Sequence, residues 1–201
     1  MVSINKIVRH HRVALLGVSL ATLAVVLAGS LTMSRMLPNF HTVRKGVLYR
    51  SGQPRGIGLG LVHLRGIRTL VNLRKPGRPG ISEEEDYAKE HGMNFVQIPL
   101  GNAADEIHVA ADQFLAIVRE PRNWPVLVHC SRGKERAGIM TAAFRIEEDG
   151  WLLDKTLAEL FRLGLEPGAM PGAEAFVAAI GHGTSPHPIP AIPGRQTDWL
   201  D

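Results

Sequence analysis

The stretch VLVHCSRGKERAGIM, residues 126–140, decides how the rest of the chain is read. PVLVH (125–129) is a continuous run of the kind carried by a strand buried on both faces, as in a parallel sheet. Two glycines and a group of charged side chains follow, and a helix is expected from about Ala137 to Asp149, stopped by Gly150. Cys130, the only cysteine among 201 residues, therefore stands where a buried strand gives way to a helix. In an α/β sheet that end of a strand is where ligands bind.

The loop has the composition of an anion site. A short loop leading into a helix curls so that successive backbone N–H groups converge on one centre, and Gly133 permits the left-handed turns this needs. The helix N-terminus adds unpaired N–H groups and the positive end of its dipole. Arg136 brings a guanidinium fork that matches two phosphate oxygens. The expected ligand is a tetrahedral dianion. A thiol at a helix N-terminus beside cations titrates at about 3.5–7.5 instead of near 8.5, so it attacks without a separate base. The expected chemistry is in-line displacement at phosphorus, a cysteinyl-phosphate intermediate, then hydrolysis by water.

Outward from this loop, strands alternate with helices. GVLYR (46–50) and RTLVNLR (68–74) read as strands, the second closed by the breakers KPGRPG. A short helix is expected over 57–65. Another runs from Ser82 to His91, with Ser82 and Glu85 as a capping box and Gly92 as its stop. NFVQIPL (94–100) is a further strand, followed by helices over about Val109 to Glu120, Asp154 to Leu165 and AEAFVAAI (173–180). The class is α/β: a mostly parallel central sheet with helices on both faces.

Residues 13–33 form a run of 21 without a charge, preceded by Lys6, Arg9 and Arg12. At about 1.5 Å per residue this matches a hydrocarbon core of about 30 Å, and it exceeds the apolar core of a cleavable signal. The expected organisation is a basic segment 1–12, a transmembrane anchor 13–33, a linker 34–40, a catalytic domain 41–181 and a disordered Pro/Gly-rich tail 182–201. A cleaved signal is the alternative for the N-terminus. A basic cluster ahead of the span sets the domain on the non-cytoplasmic side.

The formal net charge of +4 comes from residues 1–40, and beyond them basic and acidic side chains cancel. That balance excludes nucleic acid as a partner. One local asymmetry survives: Arg44 to Arg78 holds nine Lys or Arg residues and no acid, which suits a small anionic substrate. The nine histidines are scattered without metal-ligand spacing, so no metal and no cofactor are expected. Composition leaves the oligomeric state open.

HCSRGKERAG (129–138) resembles the signature loop of the cysteine-dependent protein tyrosine and dual-specificity phosphatases. With VLYRSGQP (47–54) and GIRTLVNLR (66–74), it is similar to the atypical dual-specificity group of plants, fungi and bacteria over residues 41 to 180. The resemblance implies Cys130 as nucleophile and Arg136 as phosphate clamp. The N–H groups of Ser131, Arg132, Gly133, Lys134, Glu135 and Arg136 would form the cradle, and His129 would orient it. The implied substrates are phosphorylated proteins, phosphotyrosine first. Lys134 and Arg132 add charge around the mouth, and Cys-x-x-Gly-Lys-x-Arg, with Lys134, also resembles loops of enzymes acting on phosphoinositides and inositol pyrophosphates, the alternative substrates.

Two positions depart from the family pattern. Ala137 stands where a hydroxyl usually assists the departing thiolate, which opens the alternative of a weakly active phosphate-binding pseudophosphatase. The general acid, usually an Asp about 30 residues before the Cys, falls at Gly101-Asn102. Asp105 is the substitute acid, with Glu106 beside it; the opposing reading is that both favour the N-terminus of the next helix.

Overall fold

The computed structural model describes residues 35–170 and 172–181, with isolated positions between 19 and 32. In chain order the elements are β1 (His41–Arg44), β2 (Leu48–Ser51), α1 (Gly58–Leu64), β3 (Thr69–Asn72), α2 (Ile81–Glu90) and β4 (Asn94–Gln97). They continue with α3 (Ala104–Arg119), a 3-10 turn (Pro121–Asn123), β5 (Val126–His129), α4 (Glu135–Glu147), α5 (Leu153–Arg162) and α6 (Ala173–Gly181).

The five strands lie in the order β1-β2-β5-β3-β4. β2, β5, β3 and β4 pair in parallel, and β1 joins the edge antiparallel to β2, so the sheet is mixed. The short link around Gly46, at φ 72, allows a hairpin and is far too short for the crossover that a parallel pair needs.

Every residue of β5 is buried, as a central strand requires. Register sets Leu127 beside Leu70 and Val128 beside Val71, and the two pairs face opposite ways because side chains alternate along a strand. Leu70 and Leu127 pack with Val62 of α1 and Ala88 of α2. Val71, Val126 and Val128 pack with Phe114 of α3, Met140 of α4 and Phe176 of α6. Helices thus cover both faces. α4 is buried all round, Ala137 through Arg145, as expected of a helix enclosed by its neighbours.

Three local readings are corrected. The Ser82–Glu85 capping box does not form: α2 begins one residue earlier, after Gly80 in the left-handed region at φ 85, and no side chain caps it. A left-handed Gly turns the chain there at little steric cost, which leaves Ser82 inside the helix. α3 begins at Ala104 rather than Val109, because Glu106 reaches back to the amides ahead of it. α4 begins at Glu135 rather than Ala137, which brings Arg136 into its first turn.

The stretch expected as a linker also packs. Leu37 is buried, the carbonyl of Pro38 accepts from Gly52 N at 2.6 Å, and that of Met36 accepts from Arg55 N at 2.8 Å. Among the described residues no helix is long and apolar enough to cross a membrane. The span expected at 13–33, isolated positions aside, and the tail expected at 182–201 lie outside the described residues.

Candidate active site

The loop between β5 and α4 sits at the carboxyl end of the parallel strands, with Cys130 buried at its base. Gly133 N donates to Cys130 Sγ at 3.2 Å, so the backbone turns a donor onto the sulfur. A sulfur anion accepts such a bond more strongly than a thiol does.

The carbonyls of the loop are held from outside. Ser131 O accepts from Gln53 N at 3.2 Å, and Arg132 O from Asn39 Nδ2 at 2.8 Å. Arg50 Nη2 donates to Gly133 O at 2.6 Å and lies 3.3 Å from Lys134 O. A trans peptide is planar, with its C=O and the following N–H pointing opposite ways. Each outward carbonyl therefore aims the N–H of the next residue inward: Arg132, Gly133, Lys134 and Glu135 in turn. The outward turn of these carbonyls is caused by donors in other parts of the chain.

Two glycines make the fit possible. A Cβ on Gly133, at φ 74, would come within 2.4 Å of Gly52 N and of the Ser51 carbonyl carbon. One on Gly52 would lie 2.9 Å from the Arg132 carbonyl carbon. The backbone of the loop after β5 and the turn after β2 touch directly, leaving no room for a side chain between them.

Beneath the cysteine lies a buried polar floor. His129 Nε2 and Glu84 Oε1 are 2.6 Å apart with both side chains fully buried, an ion-pair distance without the alignment of a good hydrogen bond. Glu84 Oε2 accepts from Gln53 Nε2 at 2.9 Å and Asn72 Nδ2 at 2.8 Å. Arg74 Nη1 donates to Gln53 Oε1 at 2.7 Å, extending the network. Burial pushes the Glu84 carboxyl up, but the close charge of His129 and the bonds from Gln53 and Asn72 outweigh it and hold the group below its usual range. His129 is thus held against Glu84 beneath the loop. Arg50 is 1% exposed, and burial lowers its guanidinium to about 10, against the raising influence of Glu159 and Cys130.

Of the other expected residues, Arg136 is half-buried in the first turn of α4, with no ion pair or hydrogen bond to the described residues. Arg132 pairs with Glu135 on the surface, so much of its charge is already answered. The stem of Lys134 lies over Gly164, in the turn after α5. Ala137 is fully buried. Glu106 is occupied, accepting from Asn102 N at 3.1 Å and Ala103 N at 3.2 Å, as a helix cap. Asp105 is exposed in the first turn of α3, and none of the described residues pairs with it.

The residues that sequence reasoning missed are Asn39, Arg50, Gln53, Asn72 and Glu84. Only Glu84 carried a periodic signal. It shares with Ile81 and Ala88 the helix face that turns inward, where a carboxylate needs a partner.

A cysteine loop closing a parallel strand into a helix N-terminus, in a sheet covered on both faces, defines the dual-specificity phosphatase-like α/β class. The chain belongs to the family described as "DSP-PTPase phosphatase fused to NAD+ Kinase", whose model matches residues 20–161. It is 29% identical over 125 residues to the tyrosine-protein phosphatase-like protein OCA2 of Saccharomyces cerevisiae, covering 60% of this chain and 63% of the relative. It is 28% identical over 153 residues to the dual specificity protein phosphatase TpbA of Pseudomonas aeruginosa, covering 74% and 62%. The solved catalytic core of the PP-IP phosphatase SIW14 of S. cerevisiae, in complex with citrate, superposes with a TM-score of 0.60 at 29% identity, covering 70% of this chain and 83% of that one. The chain spans under two thirds of the length of the curated relatives it matches first.

Proposed function

We propose that the protein is a cysteine-dependent phosphatase that hydrolyses phosphomonoesters. The observation that carries this reading is the Gly133 amide aimed at Cys130 Sγ at 3.2 Å, inside a loop whose carbonyls are held outward. In the proposed reaction Cys130 attacks phosphorus, the S–P bond forms and the ester P–O bond breaks. The departing oxygen takes a proton from Asp105, in the first turn of α3 after the neighbouring loop. Water, giving a proton back to Asp105, then attacks phosphorus; the P–S bond breaks, Cys130 leaves as the thiolate and phosphate is released. The cradle amides and Arg136 stabilise the equatorial oxygens, on which charge accumulates in the transition state. Ala137 offers no hydroxyl to the departing sulfur, so breakdown of the intermediate is slower than in a loop that carries one.

Phosphotyrosine-type protein substrates are the first assignment, in keeping with the family. Inositol pyrophosphates are the second, favoured by Lys134 in the loop and by relatives described as inositol diphosphatases. We also propose that the uncharged run 13–33 anchors the domain to a membrane, on the non-cytoplasmic side. Recovery of the intact chain in the soluble fraction would remove that assignment.

The deciding experiment is a substrate panel of aryl phosphates, phosphopeptides, phosphoinositides and inositol pyrophosphates with wild type and Cys130→Ser. Loss of turnover by about a thousandfold or more in the variant is expected for a nucleophile. Turnover of no substrate by a wild type that still binds phosphate would identify a pseudophosphatase.

A further inference from the structure

The phosphate loop is shaped by residues outside its signature. We propose that Asn39 and Arg50 are positioning residues for the cradle: from behind the loop they hold three of its carbonyls, and thereby aim three of its amides. The inference rests on the phosphatase reading above.

Asn39 donates through Nδ2 to Arg132 O at 2.8 Å, across 93 positions of sequence. The planar peptide then directs the next N–H, that of Gly133, onto Cys130 Sγ. Among the described residues Asn39 is the one non-glycine with positive φ, at 49°, a conformation that Asn tolerates better than most side chains. The backbone around it is fixed by three contacts: Leu37 is buried under the sheet, Pro38 O accepts from Gly52 N, and Met36 O accepts from Arg55 N. Residues 36–39 are therefore a strap fastened to the turn after β2, and that turn abuts Gly133 without space for a Cβ. The left-handed residue sits where the strap meets the loop.

Arg50 works from the sheet. It is buried on β2, next to the central β5, and its Nη2 reaches Gly133 O at 2.6 Å, Lys134 O at 3.3 Å and Leu163 O at 3.5 Å. The short contact turns the Lys134 amide inward; the longer ones tie the start of α4 to the end of α5. The first turns of α4 pass over this guanidinium at Gly138, where a Cβ would be in ordinary contact with its terminal nitrogens at 3.6 Å and would crowd Leu160 Cδ1 at 2.8 Å. All three contacts run through Nη2, and a lysine would retain the charge on a stem that ends one bond short of that nitrogen.

The test uses the full-length protein as Asn39→Gly, which keeps the backbone conformation and removes the donor, Asn39→Asp, which keeps the shape, and Arg50→Lys. Vanadate affinity and kcat/KM on an aryl phosphate are measured well below each variant's melting temperature. Asn39→Gly should lose roughly threefold to tenfold in both, the worth of one hydrogen bond, and Asn39→Asp more, since a carboxylate then faces a carbonyl. Arg50→Lys should lose about tenfold or more. Variants that melt lower but keep wild-type vanadate affinity and kcat/KM would make both residues merely structural and overturn the proposal. A wild type that neither binds vanadate nor hydrolyses the ester would instead remove the phosphatase reading, and this inference with it.

Discussion

Two loops leave the same end of the parallel sheet, and they are held in opposite ways. The loop after β5 is fixed from below by the Glu84–His129 floor and from behind by Gln53, Asn39 and Arg50. The loop after β4 is tied to the end of β3 only at its start, by Ile98 N to Asn72 O and Leu100 N to Leu73 O; its far end is tied to itself, through Glu106 capping Asn102 and Ala103, with Asp105 exposed in the first turn of α3. The contrast follows from what each must do in the proposed reaction. Oxyanion stabilisation is strongest when donors are already aligned, because no reorganisation is left to be done as charge develops. Leaving-group protonation needs one acid within reach of substrates of differing shape, and a loosely held carboxyl serves that purpose.

The contrast can be broken or sharpened by substitution. The largest effect belongs to the rigid loop: Arg136→Ala should lower kcat by roughly 100-fold to 1000-fold and weaken vanadate binding, as loss of a principal oxyanion donor does elsewhere. Unchanged vanadate affinity would remove Arg136 from the cradle. Next comes the looser loop. Asp105→Asn should lower kcat about 100-fold on alkyl phosphates and far less on aryl phosphates with good leaving groups, because only a poor leaving group depends on the acid. Equal losses on both substrate types would mean that Asp105 is not the acid.

Glu84→Gln tests the floor. Removing the charge from a buried ion pair should cost on the order of 3 kcal/mol of stability, measured by denaturant titration. The pH dependence has a definite sign. Glu84 lies below its ordinary value of 4.5 in the fold, so its stabilisation is complete above 4.5 and is lost as pH falls through the lower folded value. Wild type should therefore lose melting temperature below that pH more steeply than Glu84→Gln. Parallel curves would show that the carboxyl is not held as described. The smallest effect is expected from Glu106→Gln: about 1 kcal/mol or less of stability, from a weakened cap on α3, with leaving-group dependence unchanged.

Legibility followed the range of the contacts. The helix spans were matched unevenly: α1 and α6 differ from expectation by a residue or so, whereas α5 stops at Arg162, short of the expected Leu165, where the chain turns at Gly164. Their starts were less readable. Ser82 carries the pattern of a cap, yet Gly80 sets the turn two residues earlier; Glu106, which reads as a surface acid, draws α3 forward to Ala104. Strand β1 was not foreseen, because HTVR has too short an apolar pattern to stand apart from a linker; its pairing with Leu48–Arg50 makes it a strand.

At the site, Cys130, Gly133 and Arg136 were readable together because a strand, a tight loop and a helix start follow one another along the chain. Backbone geometry over ten residues is a local matter, and the amide cradle is made of backbone. Glu84, Gln53, Asn72, Arg50 and Asn39 were not readable as parts of it. Their side chains acquire a role only when the strands align in the order β1-β2-β5-β3-β4, bringing Arg50 to a carbonyl 83 positions away and Asn39 to one 93 positions away. The primary structure thus specified the chemistry on offer, a lone sulfur with amides and a guanidinium beside it. Tertiary packing decided which way those amides face, since a carbonyl turns outward only where a distant donor is waiting for it.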